Sequence, residues 1–231
     1  INGAAKMLSM SGGQYNVPIV FRGPTGNAGQ LSSQHSQNFE NWFANTPGLK
    51  VIVPSNPYDA KGLLKAAIRD NNPTIFMESE LMYGDKGMVP EEEYVLEIGK
   101  ANIVREGKDV TLVSFGKFMK IANECAIEMQ KEGVDVEVID LRSVRPIDYE
   151  TIITSVKKTN RLVLLEETWP IASISSDISH IVQRNAFDHL DAPIYRVVSK
   201  DLPLPYAPTL IEEILPNVKK TIAAINAVMY R

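Results

Sequence analysis

Cysteine and histidine are scarce in this chain, and their scarcity limits the chemistry that it can perform. Cys125 is the only cysteine among 231 residues, so the chain can form no internal disulfide, and we expect no cysteine-based zinc site. The three histidines are His35, His180 and His189, and none lies at metal-ligand spacing from another. A single cysteine is in keeping with a reducing compartment.

Long apolar runs and an excess of positive charge are also lacking. No apolar stretch approaches the roughly 20 residues that span a bilayer, so we expect no membrane-embedded segment. The formal net charge is −4, and the basic residues form no cluster. Nucleic acid is therefore not expected as a main partner. The length allows one large domain or two ordinary ones.

The first half of the chain alternates between predicted strands and predicted helices. Apolar strands are predicted at 18–21, 50–53 and 74–77, and a helix that starts at His35 separates the first two. A second helix at about 59–70 ends before Pro73, which cannot continue it. This order is typical of a parallel sheet, in which chemistry collects in loops beyond the carboxyl ends of the strands. The apolar stripe of the second helix consists of Ala60, Leu63, Leu64, Ala67 and Ile68.

A glycine-rich loop follows the first predicted strand and leads to His35. Its glycines are Gly23, Gly26 and Gly29, a spacing that matches neither a dinucleotide fingerprint nor a phosphate loop. One interpretation is an anion or cofactor surface, where backbone amides approach a ligand and His35 supplies a hydrogen bond. The other is a plain connection that needs glycine for its turns, with His35 on the surface. The spacing by itself favours the plain connection.

The pattern of regular elements stops between Gly84 and about Arg105. Glycines, a proline and the acidic run Glu91-Glu92-Glu93 indicate a solvated linker. Within it, 94–98 and 101–104 are candidates for short edge strands. We therefore divide the chain into a first domain at 1–84, a linker at 85–105 and a second domain at 106–231.

The second domain repeats the α/β alternation. Cys125 falls on the apolar stripe of one helix, so we interpret it as a core residue rather than a reactive thiol. His180 and His189 are expected on helix surfaces or at caps. The sequence TLIE, which begins at Thr209, predicts a capping box at a helix start. The predicted strands of this domain are 110–115, 134–141, 162–165 and 194–198.

Longer motifs in both halves of the chain carry a resemblance. The first half contains FRGPTG, SSQHSQNFENWFANTPGLKV, PYDAKGLLKAAIRDNNP and ESELMYG, and the second contains VIDLRSVRPID, LVLLEETWP, LDAPIYRV and DLPLPYAPTLIE. Together they resemble the beta subunits of pyruvate dehydrogenase, the thiamine-dependent first component of a 2-oxoacid dehydrogenase complex. The resemblance covers essentially the whole chain. It implies an α/β fold, in which an incomplete thiamine-binding pyrimidine-type domain precedes a transketolase C-terminal-type three-layer α/β domain.

The resemblance implies an active site to which this chain contributes only some of the residues. In the family, a beta-subunit glutamate protonates the aminopyrimidine ring of thiamine diphosphate, and the cofactor carries the chemistry on the 2-oxoacid. No carboxylate here matches that glutamate, which the resemblance places before Ile1. The chain therefore resembles an N-terminally truncated subunit, which we expect to be inactive alone. His35 matches the family's active-site histidine, expected as a proton donor or hydrogen-bond partner for the substrate or the lipoyl group.

The resemblance also implies metal sites. A GDG-type motif of the alpha subunit holds the diphosphate and its magnesium in this family, and no GDG occurs here. Carbonyls at a predicted helix C-terminus attract a cation, because they are unpaired and lie at the negative end of the helix dipole. The alternative is an ordinary helix end that binds water. The groups that match the potassium ligands of related beta subunits are Ile19, Ala67, Ile68, Asp70 and Asn72.

The implied assembly is an α2β2 heterotetramer with an alpha subunit, docked on a dihydrolipoyl acetyltransferase core and acting on pyruvate. Beta subunits for branched-chain 2-oxoacids or acetoin are alternatives, and a non-catalytic assembly fragment is another. The expected location is the cytoplasm of a bacterium or the mitochondrial matrix of a eukaryote. The chain departs from the family after Glu166-Glu167, where the usual glycine-rich segment has lost its glycines, so a close backbone approach is not expected there.

Overall fold

Two β-sheets form the framework of the computed structural model, which describes residues 1–231. The first sheet consists of β1 (Val20–Pro24), β2 (Lys50–Ile52), β3 (Thr74–Glu78) and β7 (Ser143–Arg145), in the order β1-β3-β2-β7. β1 and β2 both pair in parallel with β3, which confirms the predicted parallel arrangement. β7 pairs antiparallel with β2. The second half of the chain therefore supplies the fourth strand of the first sheet, which the sequence did not predict.

The second sheet has five strands and confirms the four strands predicted for the second half. It consists of β4 (Asn102–Arg105), β5 (Val110–Ser114), β6 (Val136–Asp140), β8 (Leu162–Leu165) and β9 (Tyr195–Val197). The order is β4-β6-β5-β8-β9, with β4 antiparallel to β6 and the other pairs parallel. Every residue of β5, β6 and β8 is buried, as expected for parallel strands covered on both faces.

Eight α-helices cover the sheets, and none of them has the length and apolar character needed to cross a membrane. Four helices begin at a side chain that accepts a hydrogen bond from the amide three residues later, namely Asn56, Asp148, Ser173 and Asn217. The helices are α1 (Asn2–Met10), α2 (Glu40–Ala44), α3 (Pro57–Arg69), α4 (Met119–Lys131), α5 (Tyr149–Thr159), α6 (Ile174–Ala186), α7 (Pro208–Ile214) and α8 (Val218–Val228).

The largest hydrophobic core is shared by the two sheets. Val51 and Ile75 of the first sheet belong to the same buried cluster as Val113 and Ile139 of the second sheet, and α5 and α6 pack into it. The other face of the second sheet is covered by α4 and α8, where Cys125 is fully buried. Helices on both faces of this sheet give the expected three-layer α/β architecture.

The structure corrects several local expectations. Residues 94–98 form no strand; instead Leu96 packs against α3 and donates its amide to the Gly62 carbonyl. Ile68, expected on the buried stripe of α3, is 63% exposed. Thr209 is not a cap, because α7 already begins at Pro208, whose fixed φ suits the first helical position. His180 and His189 are exposed, as expected.

Candidate functional site

A polar cleft lies where the carboxyl ends of strands from both sheets meet. It encloses about 330 Å³, part of which is open to solvent. The segments after β1, β2 and β3 form one wall, and those after β5 and β8 form the other. Loops beyond the carboxyl ends of parallel strands are the usual location of binding sites in α/β folds. The lining residues are Thr25, Asn38, Glu40, Val53, Pro54, Met77, Glu78, Ser79, Phe115, Gly116, Lys117, Phe118 and Glu167.

The glycine-rich loop forms one edge of this cleft. The Thr25 amide donates to the Glu78 carbonyl over 2.8 Å, and the Gly26 amide donates to the Gln37 carbonyl over 3.0 Å. Gly26 has a φ of +72°, and a Cβ at this position would overlap both the Asn38 amide oxygen and a Glu167 carboxylate oxygen. The loop therefore requires glycine at this position both for its backbone conformation and for the close approach of two polar side chains.

His35 lies on this loop, but not at the start of a helix as the sequence predicted. It ends a 3₁₀ turn at Ser33–His35, and α2 begins five residues later, at Glu40. The shift arises because 36–39 follow the cleft edge, where the Phe39 amide donates to the Thr25 hydroxyl over 3.3 Å. The His35 side chain is exposed to solvent. It is thus accessible to a ligand or partner that approaches the loop from outside.

A buried ion pair from the second half of the chain holds the beginning of the same loop. Lys117 Nζ lies 2.6 Å from Glu167 Oε2, and only 12% and 6% of their side-chain surfaces are exposed. Glu167 Oε1 accepts a hydrogen bond from the Asn27 amide over 2.7 Å, while Lys117 Nζ donates to the Asn27 carbonyl over 2.5 Å. The backbone amide and the backbone carbonyl of Asn27 are therefore both hydrogen-bonded to charged side chains.

Glu40 adds a second buried carboxyl group to the cleft. Its side chain is 2% exposed, and its Oε2 atom has no hydrogen-bond partner. Burial, together with the nearby Glu167 and Glu166, raises the pKa of Glu40 to about 7, although a backbone hydrogen bond and Lys117 act to lower it. Burial also raises the pKa of Glu167, against the lowering effect of Lys117. Glu40 can therefore exchange a proton near neutral pH.

The sequence analysis did not single out Glu40, Lys117 or Glu167 as site residues. Glu167 enters the sequence interpretation only as the point where the chain departs from the family motif. The available signal was positional, because Lys117 and Glu167 each follow an apolar strand within three residues. Charged residues in that position face the carboxyl edge of a parallel sheet.

Of the residues expected to bind potassium, Ile19 directly precedes β1, and Ala67, Ile68, Asp70 and Asn72 lie between the last turn of α3 and the start of β3. The Ile19 carbonyl accepts a hydrogen bond from the Thr74 amide over 2.9 Å, beside the end of α3. Asp70 already has strong partners there, because it forms a short ion pair with Lys50 and accepts the Asn72 amide over 2.8 Å. These contacts lower the pKa of Asp70, although partial burial opposes them. The Lys50 ammonium therefore provides positive charge where the cation was expected.

The cleft does not fit a diphosphate group and its metal. Its three carboxyl groups, Glu40, Glu78 and Glu167, outnumber its single ammonium group, Lys117, so a diphosphate would meet like charge. The chain contains no cluster of three or more His, Cys, Asp or Glu side chains that could hold a metal ion. The charges of this cleft therefore disfavour a diphosphate.

Family models match both halves of the chain. Residues 1–86 match the transketolase pyrimidine-binding domain, and residues 99–221 match the transketolase C-terminal domain. The solved structure titled "Split gene transketolase, inactive beta4 tetramer" superimposes with a TM-score of 0.77, covering 98% of this chain and 73% of that chain at 20% identity. Fold and site thus define a transketolase-type protein with a pyrimidine-binding domain.

Sequence relatives narrow this class to one family. The chain is 53% identical over its full length to the "Pyruvate dehydrogenase E1 component subunit beta" of Rhizobium meliloti, and covers 50% of that protein. It is 49% identical to the protein of the same name from Rickettsia felis, covering 71% of it, and 48% identical to the mitochondrial beta-1 subunit of Arabidopsis thaliana, covering 65%. The chain belongs to the family of pyruvate dehydrogenase E1 beta subunits, and it spans about half to seven-tenths of the length of these relatives.

Proposed function

We propose that the chain acts as the beta subunit of a pyruvate dehydrogenase first component. With an alpha subunit it would take part in the oxidative decarboxylation of pyruvate and the reductive acetylation of lipoyl groups. The observation that carries this proposal is the identity of about half of all residues to relatives of this name, over 100% of the chain. Each relative described above is named for pyruvate, which favours pyruvate over branched-chain 2-oxoacids and acetoin.

Thiamine diphosphate is the proposed cofactor, and it supplies the decarboxylation chemistry when bound. We infer that the diphosphate, and the magnesium that accompanies it, belong to the alpha subunit, because the carboxylates of the cleft in this chain would repel the diphosphate anion. This chain contributes an exposed His35 on a loop that is fixed at the carboxyl edge of the sheets. An imidazole there can donate a proton or a hydrogen bond to the substrate or to the lipoyl group.

Four further proposals follow from the family. An alpha subunit in an α2β2 heterotetramer is the proposed partner, and a dihydrolipoyl acetyltransferase core is the proposed docking platform. Potassium binding by Ile19, Ala67, Ile68, Asp70 and Asn72 is proposed with one change, namely that the ion shares the Asp70 carboxylate with Lys50. A mitochondrial location is proposed if the source is a eukaryote, as in the plant relative, and a cytoplasmic location if it is a bacterium.

The test is pyruvate-dependent reduction of an artificial electron acceptor with thiamine diphosphate, magnesium and an alpha subunit. We would assay the printed chain beside a hybrid that carries the preceding segment of the Rickettsia felis relative. The hybrid is expected to be active with pyruvate, and the printed chain to bind the alpha subunit with little activity. His35→Gln in the hybrid should lower kcat for acetylation of a lipoyl domain about 10²-fold, because a positioned proton donor contributes about that much.

His180→Gln is the matched control, since His180 is an exposed histidine on α6, and its activity should equal that of the unmodified hybrid. A hybrid that binds the alpha subunit but turns over only a branched-chain 2-oxoacid or acetoin would redirect the substrate assignment. Binding without turnover of any of the three substrates would support the assembly role instead.

A further inference from the structure

The start of the His35 loop is bound by two charged residues that belong to the other half of the fold. Asn27 donates its amide hydrogen to Glu167 Oε1 and accepts a hydrogen bond from Lys117 Nζ at its carbonyl oxygen. Lys117 and Glu167 also pair with each other, which closes a ring of three contacts of 2.5 to 2.7 Å. We refer to this ring, formed by Asn27, Lys117 and Glu167, as the loop clamp.

The residues of the loop clamp are almost fully buried, so each of their polar groups depends on its partner within the clamp. Asn27 is 8% exposed, and the Asn38 amide and Glu40 carboxyl groups complete the surroundings. In such a site an ammonium or carboxylate that loses its partner is only partly compensated by hydration. Loss of the Lys117 ammonium therefore leaves the Glu167 carboxylate and the Asn27 carbonyl without this partner. Loss of the Glu167 carboxylate leaves the Lys117 ammonium and the Asn27 backbone amide without this partner. The Asn27 peptide segment can be expected to leave the cleft in response.

The other contacts between this loop and the second half of the chain involve neutral groups nearer the surface. The Ser33 hydroxyl donates to the Leu204 carbonyl over 2.9 Å, and the Gln30 side chain donates to the Tyr206 carbonyl over 3.4 Å. Both acceptors lie in the irregular connection before α7. His35 follows directly after these contacts. Among the contacts that fix its loop to the second half of the chain, the loop clamp is the buried and charge-assisted one.

We propose that Lys117 and Glu167 are positioning residues for His35. They fix the Asn27 peptide groups, and thereby hold the His35 loop against the carboxyl edge of both sheets. The imidazole then reaches the reacting group in one defined orientation. This inference rests on the function proposed above for His35, but its structural part can be tested without any turnover.

The structural part is tested by amide hydrogen exchange of the loop residues 25–39 in the printed chain. Lys117→Met should accelerate exchange of the Asn27 amide and its neighbours at least tenfold. Lys120→Met is the matched control, because Lys120 lies on the following turn and pairs with Asp85 at the exposed surface over 2.7 Å. This control should leave exchange in the loop unchanged. Equal exchange in the two variants would overturn the proposal.

Two further variants preserve the test if Lys117→Met does not fold. Lys117→Arg keeps the positive charge and should retain slow exchange in the loop. Glu167→Gln keeps an acceptor for the Asn27 amide but loses the charge that binds Lys117, so exchange should be accelerated to an intermediate extent. Slow exchange in Glu167→Gln, at the rate of the unmodified chain, would contradict the loop clamp.

The functional part is tested by a double-mutant cycle in the active hybrid with its alpha subunit. Lys117→Met should lower kcat for lipoyl acetylation about tenfold when His35 is present, and less than twofold in the His35→Gln background. Additive losses in the two backgrounds would overturn the positioning role, because a merely structural defect acts independently of His35. If the unmodified hybrid turns over no substrate, the proposed function fails, and hydrogen exchange alone decides on the loop clamp.

Discussion

Glu40 lies in an environment that disfavours the charged form of its side chain. A carboxyl group with an unpartnered oxygen sits almost fully buried beside a second carboxyl group, Glu167. Burial of a charge without a full set of partners is costly, and the group avoids this cost by keeping its proton. When Glu40 is neutral, the two other carboxylates of the cleft each have a cationic partner, since Lys117 pairs with Glu167 and Arg22 pairs with Glu78.

Glu40→Gln should change how stability depends on pH. Burial raises the pKa of Glu40 from 4.5 to about 7, so the proton on Glu40 stabilises the fold below pH 4.5, and this contribution is lost as pH rises through 7. The variant stays neutral throughout. Relative to the unmodified chain, its free energy of unfolding should rise between these pH values by up to about 3 kcal/mol.

Urea denaturation at pH 5, 6, 7 and 8 measures this difference. Asp140, whose pKa burial also raises to about 7, is present in both proteins, and its contribution cancels. Glu128→Gln on the exposed side of α4 is the control for loss of a surface carboxylate. If the urea midpoint of Glu40→Gln differed from that of the unmodified chain by the same amount at all four pH values, Glu40 would be ionised in the folded chain throughout this range.

Sequence reasoning placed His35 near the carboxyl edge but did not find the charged groups around Asn27. The reason is physical, because these groups are far apart in the sequence. Lys117 follows Glu40 by 77 positions, and Glu167 follows Lys117 by 50 positions. Each of them has the polarity of an ordinary surface residue. Only the packing of two sheets encloses them, and no local pattern of a strand or helix records that packing.

At the scale of elements, α3 links the first sheet to the irregular segment 85–101. Gly62 lies on the buried face of the helix, and the Leu96 side chain and the Tyr94 ring rest directly against it. Tyr94 also stacks on Tyr58 with ring centroids 4.7 Å apart and donates its hydroxyl to the Tyr58 carbonyl over 2.8 Å. The segment expected as a solvated linker is therefore packed against a helix along part of its length.

Gly62→Ala should be destabilising although alanine favours helices. The helical preference gains about 1 kcal/mol, but the new Cβ would lie 2.7 Å from Leu96 Cγ and 2.8 Å from Tyr94 Cε2. Overpacking of this kind costs about 1–3 kcal/mol, so we expect a net loss of stability and faster protease cleavage within 85–101.

Gly3→Ala in α1 is the matched control, because nothing lies within 4 Å of its Cβ position and only the helical preference changes. Urea denaturation and limited proteolysis of both variants distinguish the effects. Should Gly62→Ala gain stability like Gly3→Ala and resist proteolysis, the contact between α3 and the 94–96 segment would be looser than described.

Sequence periodicity was sufficient for most elements and failed at those decided by distant contacts. The stripe of α4, including Cys125, follows from local spacing and is buried as predicted. β7 has only three residues, Ser143–Arg145, and its partner β2 lies about 90 positions earlier in the chain. No period can be recognised over three residues. Its assignment to the first sheet depends on the shared core, which only the assembled fold reveals.

For the molecule as a whole, the two sheets are connected by a buried ion pair as well as by a shared hydrophobic core. Arg142 Nη2, between β6 and β7, lies 2.7 Å from Asp59 Oδ1 in the first turn of α3, and the Asp59 side chain is 0% exposed. Asp140, at the end of β6, accepts a short hydrogen bond from Ser55. Because core and buried ion pair both cross from one sheet to the other, we expect the chain to unfold as one cooperative unit.

Arg142→Met tests this connection. It leaves the Asp59 carboxylate buried without its main partner, so the free energy of unfolding should fall by about 3–5 kcal/mol. Lys131→Met breaks an exposed pair with Glu128 and should cost less than about 1 kcal/mol. Far-ultraviolet circular dichroism and tryptophan fluorescence should report the same urea transition, since Trp42 and Trp169 belong to different halves of the chain. A mild effect of Arg142→Met, or separate transitions in the unmodified chain, would mean that each sheet is stable without the other.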